Sequence, residues 1–400
     1  MASGSNCDGT GKPQLKKEKS MEKILGIVYA YDVKDGYQEI LDLGFSWVRM
    51  EICFPWEDKM FGTLSPKYLK CKEEIRRAHE AGMQIMPSTP GMGGYYYDEV
   101  KKETYYQDAW PAFAGEKGSD IYYKNVAAAC EFICSDLGEL AGNLWQCMNE
   151  IDIPTFSGSY PPEVTTGTAR ASAEGIVRAN PEAKCGINLS RYHEDGLKIA
   201  DMVYAPGHKF GYIGDDQYFG SWQGKTVESW NDVIEALYER YQLPVVANEW
   251  GYSSGGRVME ERPDLSVLPE GIPDVCYEKS WFHQVEGGHT QEVQAEYLRR
   301  GLQIFAENPH VLGSFLFCFK DAAHCYHCGA SDCPSECYWG ITDVEGKPKK
   351  AYEVVRKAIK DYYQITVWQL AGRHIGPTVK NVIQKCRHIM PESLQSPDCG

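Results

Sequence analysis

Short apolar runs rich in β-branched residues alternate with longer stretches of helical periodicity along most of the chain. The runs fall at Ile24–Tyr29, Ser46–Ile52, Met83–Pro87, Leu144–Met148, Lys184–Leu189, Tyr212–Tyr218, Pro244–Ala247 and Val311–Phe319. Each predicts a strand. Helices are predicted after them, over 35–43, 66–81, 120–141, 161–179, 193–202, 226–241, 290–307 and 348–362. Some boundaries are marked by their chemistry: Ser65-Pro66 reads as an N-cap followed by proline at the first helical position, and Gly82 closes that helix. Runs that are continuously apolar fit strands buried on both faces of a parallel sheet. Eight such units predict the α/β class and a single (β/α)8 TIM barrel with a short C-terminal extension. A doubly wound open sheet would call for a Gly-rich phosphate turn after the first strand, and "VYAYDVKDG" is not one. The expected parts are a polar, disordered leader over 1–22, the barrel over 23–363 and an extension over 364–400.

The fourth run, Leu144-Trp145-Gln146-Cys147-Met148, stops abruptly on Asn149-Glu150. The seventh ends in the same way, with Glu249 in "VVANEWGY". In a barrel the catalytic groups sit at the C-terminal ends of the strands, and strands four and seven lie across the mouth from one another. Two facing carboxyls are what glycoside hydrolysis needs. One protonates the leaving oxygen and the other attacks the anomeric carbon. A lone Glu at such a place is more simply a solvated loop residue or a structural ion pair. Two at opposed strand ends, each after Asn, favour the chemistry.

The stretch from about 24 to 362 resembles the clan A retaining glycoside hydrolases, which include cellulase-like family 5 enzymes, β-glucuronidases and β-galactosidases. The resemblance is carried by Arg49 in "WVRMEI", Asn149-Glu150, Tyr218 in "DDQYF", Glu249, and the closing segment "YWGITDVEGKPKKAYEVV". It implies that Glu150 is the acid/base and Glu249 the nucleophile. It also implies that Asn149 binds the sugar 2-hydroxyl and that Arg49 and Tyr218 hydrogen-bond Glu249. Two departures bear on the substrate. Many relatives end strand eight on a Trp that floors the sugar subsite, whereas this chain has Phe317-Cys318-Phe319-Lys320-Asp321, so Phe319 or Trp339 is expected to be the floor. Strand three ends "MPSTPG" without the His that several families carry there.

Long loops are expected after strands two, three and seven. By position, Trp56 and Trp250 are candidates for sugar contact. Tyr95, Tyr96, Tyr97, Tyr105, Tyr106 and Trp110 are either an aromatic wall or pins that hold their loop to the rim. Lys320 and Arg257 are basic residues that could read an acidic sugar, but Lys320 beside Asp321 is more simply a salt bridge.

"HCYHCGASDCPSEC" sets Cys325, Cys328, Cys333 and Cys337 in the loop after strand eight. Four thiols so close make a candidate structural zinc site, and no cofactor is expected for catalysis itself. Paired disulfides or buried thiols are the alternatives.

The formal net charge of -15 argues against nucleic acid or an anionic membrane as partner. No apolar run reaches a membrane span, and the leader lacks the apolar centre of a secretory signal, so a cytoplasmic protein is expected. A chain whose signal peptide had been removed would read the same. The functional expectation is a retaining β-glycosidase acting on a small glycoside or oligosaccharide. The alternatives are a transglycosylase with the same site and a non-catalytic carbohydrate-binding barrel. Sugar, linkage and oligomeric state are not legible.

Overall fold

A computed structural model describes residues 23–28, 36–98, 100–101, 103–158, 160–255, 283–325, 329–331, 333 and 336–364. Apart from Gln364, the expected leader and extension lie outside these residues, as do Arg257 and Cys328. The sheet strands are β1 (Ile24–Val28), β2 (Trp47–Glu51), β3 (Gln84–Ser88), β6 (Leu144–Gln146), β7 (Lys184–Gly186), β8 (Asn188–Leu189), β9 (Ile213–Gln217), β10 (Val245–Trp250) and β11 (Val311–Leu316). Their order is β7-β6-β3-β2-β1-β11-β10-β9-β8, with every pairing parallel. β7 and β8 are two halves of one stave, separated only by Ile187, and each half pairs with a different neighbour. The sheet therefore closes on itself as eight staves, the (β/α)8 barrel that the strand–helix alternation predicts.

The helices are α1 (Tyr37–Leu43), α2 (Pro66–Glu80), α3 (Asp120–Leu137), α4 (Pro154–Ser157), α5 (Pro162–Ala179), α6 (Glu194–Val203), α7 (Trp230–Tyr241), α8 (Gln291–Glu307) and α9 (Lys350–Tyr362). The Ser65 hydroxyl accepts from the Tyr68 N–H at 3.1 Å and caps α2. Gly82 just beyond has φ +104, a conformation glycine adopts without a Cβ clash. One segment departs from expectation. The loop after strand three contains an antiparallel hairpin, β4 (Gly93–Asp98) on β5 (Glu103–Asp108), in register Gly93↔Asp108 to Asp98↔Glu103. Its tyrosine-rich runs are β formers that pair with each other outside the barrel.

The large core fills the space between staves and helices. A second apolar cluster, of Val28, Met86, Leu144, Tyr212, Val246, Leu312 and Phe315, draws residues from six of the eight staves and plugs the barrel interior. Its large rings fit because glycines face them: a Cβ on Gly26 would lie 2.3 Å from the Phe315 ring, and one on Gly186 would lie 2.3 Å from that of Tyr212. Gly26→Val should therefore overpack the plug and cost about 1–3 kcal/mol, read as a lower Tm. Adding Phe315→Leu should restore part of the loss. An unchanged Tm in the single variant would show that the plug is not tightly packed.

Candidate active site

The C-terminal ends of the staves replace this apolar plug with a layer of hydrogen-bonded polar side chains. Gln146, the last residue of β6, is fully buried at its centre. Its carbonyl accepts from Arg49 Nη1 at 3.0 Å and from Asn248 Nδ2 at 2.6 Å. Its amide lies 2.8 Å from the Met148 carbonyl, 3.1 Å from Asn149 Oδ1 and 2.9 Å from Asn188 Oδ1. Buried polar groups are costly unless satisfied, so this layer keeps its geometry by bonding to itself.

Two backbone irregularities aim the two glutamates. The first is a bulge in β10. The pairing with β9 shifts register between Ala247 and Glu249. Ala247 packs outward with the helix-side core, while Asn248 and then Glu249 both turn inward. Without the bulge, period-two alternation would have sent Glu249 the same way as Ala247. The Glu249 carboxylate is 7% exposed. It is ion-paired to Arg49 Nη2, and the Tyr218 hydroxyl donates to its other oxygen. Burial first, then the charge of Glu249, pushes the Tyr218 hydroxyl well above its ordinary range, so it stays a donor.

The second irregularity is the turn after β6. Met148 and Glu150 both have positive φ, 69° and 37°, a conformation that costs energy for residues other than glycine. Side chains hold it. The Met148 N–H donates to Thr89 Oγ1 at 3.0 Å, and the Glu150 N–H donates to Asn188 Oδ1 at 3.0 Å. Asp152 anchors the far side, accepting from the Ser190 N–H and hydroxyl at 2.8 Å each and meeting His193 Nε2 at 2.8 Å. The Glu150 carboxyl is pushed well above the usual carboxylate range, by burial first and then by the charges of Glu249 and Asp152. Asn149 joins the same layer, with Oδ1 3.3 Å from Arg49 and 3.0 Å from Asn188.

A third carboxyl stands with them. Asp216 points inward from β9 and has no solvent exposure. Its Oδ2 accepts from Asn188 Nδ2 at 2.5 Å. Glu150, Asp216 and Glu249 each place an oxygen within 4.8 Å of the others. Among the described residues they are the one set of three or more acidic, histidine or cysteine side chains close enough to share an ion.

Arg49, Asn149, Glu150, Tyr218 and Glu249 are thus brought together at one mouth. Other expected contacts are not. Trp250 follows the bulge and faces outward. It is fully buried on Phe305 of α8, 4.9 Å between rings, with Gly301 leaving room for it. Trp56 is 4% exposed and packs on Phe54, Phe61 and Phe132. Trp110 is likewise core, against Phe54 and Tyr122. Phe319 is buried, and the strand-eight aromatic beside Tyr218 is the half-buried Phe317, 5.9 Å between rings. Trp339 does arrive there, 4.9 Å from Tyr218, though only 1% exposed. Cys325, Cys333 and Cys337 cluster in the interior but do not converge to ligand distance as a trio, and the zinc reading finds no support among the described residues. Sequence reasoning missed Gln146, Asn188, Asn248 and Asp216. The doublet Asp215-Asp216 inside an apolar run was the available signal, because period two sends one of the two inward.

No protein-family model matches the chain, and no curated protein does. Solved structures share the barrel. A xylanase of Thermotoga petrophila RKU-1, solved with xylobiose, matches at TM-score 0.57 and 14% identity over 86% of this chain and 94% of its own. An exo-β-1,4-mannosidase from Opitutaceae bacterium strain TAV5 matches at 0.54 and 17%, over 86% of this chain and 60% of its own. A β-glucuronidase of Bacteroides uniformis matches at 0.52 and 14%, and this chain spans about a third of its length, 35%. At these identities the likeness shows the fold.

Asn188→Ala should remove a donor to Asp216 and Asn149 and the acceptor that holds the Glu150 N–H. The expected result is a loss of about 1–3 kcal/mol in urea unfolding with an unchanged slope. An unaltered midpoint would mean that the turn holds itself.

Proposed function

We propose that the chain is a retaining β-glycoside hydrolase acting on a small glycoside or oligosaccharide, with Glu150 as acid/base and Glu249 as nucleophile. The observation that carries this reading is the asymmetry of two carboxyls facing across the barrel mouth. Glu249 is tied to a guanidinium and a hydroxyl, which orient it for attack. Glu150 lies within 4.8 Å and is held toward its protonated form. Retaining enzymes keep the pair about 5–5.5 Å apart, and inverting ones leave roughly 6.5–9.5 Å for a water. An oxygen-to-oxygen approach within 4.8 Å supports the retaining alternative. The shared barrel of the xylanase, mannosidase and glucuronidase supports the same chemistry.

In this reading Glu150 gives its proton to the glycosidic oxygen as Glu249 bonds to the anomeric carbon, and the aglycone departs. Glu150, now a carboxylate, takes a proton from water as that water displaces Glu249 and frees the sugar. Asn149 is placed to hold the sugar 2-hydroxyl between the two acids. An acceptor sugar entering in place of water would make the same site a transglycosylase, which product analysis distinguishes.

The test is a panel of aryl β-glycosides (glucose, galactose, xylose, mannose, glucuronic acid, arabinose). Wild type is expected to cleave at least one member. Glu249→Ala should fall to background. Glu150→Ala should lose about 10²–10⁴ in kcat and recover with added azide, giving the β-glycosyl azide. Mutants that match wild type on a sugar it cleaves would end the two-glutamate reading.

A pH dependence follows from the same geometry. The acid works while protonated, so kcat/KM should fall as pH rises through the Glu150 pKa. Burial and its acidic neighbours raise that pKa, so the alkaline limb should lie above the ordinary carboxylate range. In Glu150→Ala, assayed with a dinitrophenyl glycoside that needs no acid, the limb should vanish. If it persists, it belongs to another group.

A further inference from the structure

We propose that Asp216 and Glu150 hold one proton between them, making Asp216 the positioning partner of the acid/base. This deepens the glycosidase reading and rests on it for its catalytic meaning.

The geometry comes first. Asp216 is wholly enclosed, and its two oxygens are unequally provided for. Oδ2 accepts from Asn188, whereas Oδ1 meets no N–H or O–H donor among the described residues. A buried carboxylate oxygen without a donor calls for an explanation. The group within hydrogen-bond reach is the Glu150 carboxyl. A proton on that pair supplies the missing donor.

Charge leads to the same place. Three carboxyls share the pocket, and the one guanidinium that faces them is bound to Glu249. Two further anions in contact, Asp216 wholly enclosed and Glu150 half-buried, would be uncompensated, and such pairs keep one proton. The groups around the pair come from every side. Glu249 stands on β10 and Arg49 on β2, Tyr218 follows β9, and Asp152 lies beyond Glu150 on its turn. From β8 the neighbour is Asn188, which does not titrate. Burial first and then Glu249 push both members of the pair up; Arg49 opposes this, the hydrogen bond with Asp216 also lowers Glu150, and the charge of Glu150 raises Asp216.

The arrangement serves both halves of the reaction. Glu150 is the member open to the mouth, so it delivers the proton to the glycosidic oxygen. That leaves two carboxylates side by side, and the repulsion of Asp216 makes Glu150 a stronger base toward the incoming water. The proton taken from water restores the pair.

The experiment has one arm that needs no substrate. In protein labelled with 13C at aspartate Cγ, the Asp216 resonance is identified by its loss in Asp216→Asn. It should titrate in two steps in wild type and in one in Glu150→Gln. The second arm is the pH profile of kcat/KM. Asp216→Asn should move the alkaline limb down by about 1 pH unit or more, because a neighbouring negative charge is gone. Its loss in rate should be larger on glycosides with poor leaving groups than on the dinitrophenyl glycoside, which needs no acid. Asp216→Ser, smaller and also neutral, makes the same test if the Asn variant does not fold. Identical single-step titrations in wild type and Glu150→Gln would overturn the proposal, and so would a limb unmoved in the folded neutral variants. If wild type cleaves no glycoside, the functional reading falls and the titration alone decides this one.

Discussion

Arg49 faces three carboxyl groups across the closed end of the barrel mouth, and much of the site follows from that imbalance. A guanidinium can compensate one carboxylate well, and here it pairs with Glu249. Its other amine group goes to Gln146 and Asn149, both neutral. The remaining two acids must lower their charge by protonation or pay the cost of burial, because nothing else in the pocket carries a positive charge among the described residues. Glu249 and Glu150 are thereby told apart by environment alone, although both are glutamates at strand ends.

The barrel positions this electrostatic arrangement by stacking it on an apolar plug. Staves whose lower residues are Val28, Met86, Leu144, Tyr212 and Val246 end in Arg49, Gln146, Asn188, Asp216, Asn248 and Glu249 from the same and neighbouring staves. The change from apolar to polar occurs within one or two residues along a strand. Regular strands cannot deliver every one of those groups inward, and the two exceptions lie at the two glutamates. A bulge aims Glu249, and a left-handed turn aims Glu150. Both are held by side-chain hydrogen bonds from neighbouring staves, so local strain is offset by the network it serves.

The staves and their helices were legible because buried parallel strands and amphipathic helices are written as runs and periods, and their ends carry caps such as Ser65-Pro66. Glu150 and Glu249 were legible because each interrupts an apolar strand at the end that a barrel uses for chemistry. Asp216, Gln146 and Asn188 were not, because each lies inside a strand where a polar residue reads as an irregularity until its neighbours across the sheet are known. Trp250 shows the limit most clearly. Its position next to Glu249 suggested contact with a sugar, yet one inserted residue of pleat turns it to the helix side. A bulge has no signature in hydropathy, since every residue of Val245–Trp250 is buried whichever way it faces. The hairpin after strand three was hidden for the opposite reason: its tyrosines fit either an aromatic wall or a strand.

The polar layer is built from strand ends and one short turn, and its charge balance centres on Arg49. The balance itself places a demand on the substrate. A sugar bearing a carboxylate would enter beside three acids whose facing guanidinium is already committed to Glu249. Recognition of a uronic acid would need a second cation brought in from a loop, since adding negative charge to an uncompensated pocket is unfavourable. A neutral sugar makes no such demand. It needs hydroxyl partners, which Asn149 and the acids supply, and an apolar face, which Phe317 with Trp339 behind it can offer. Under the proposed glycosidase reading, the electrostatics of the described pocket favour a neutral glycoside over an acidic one.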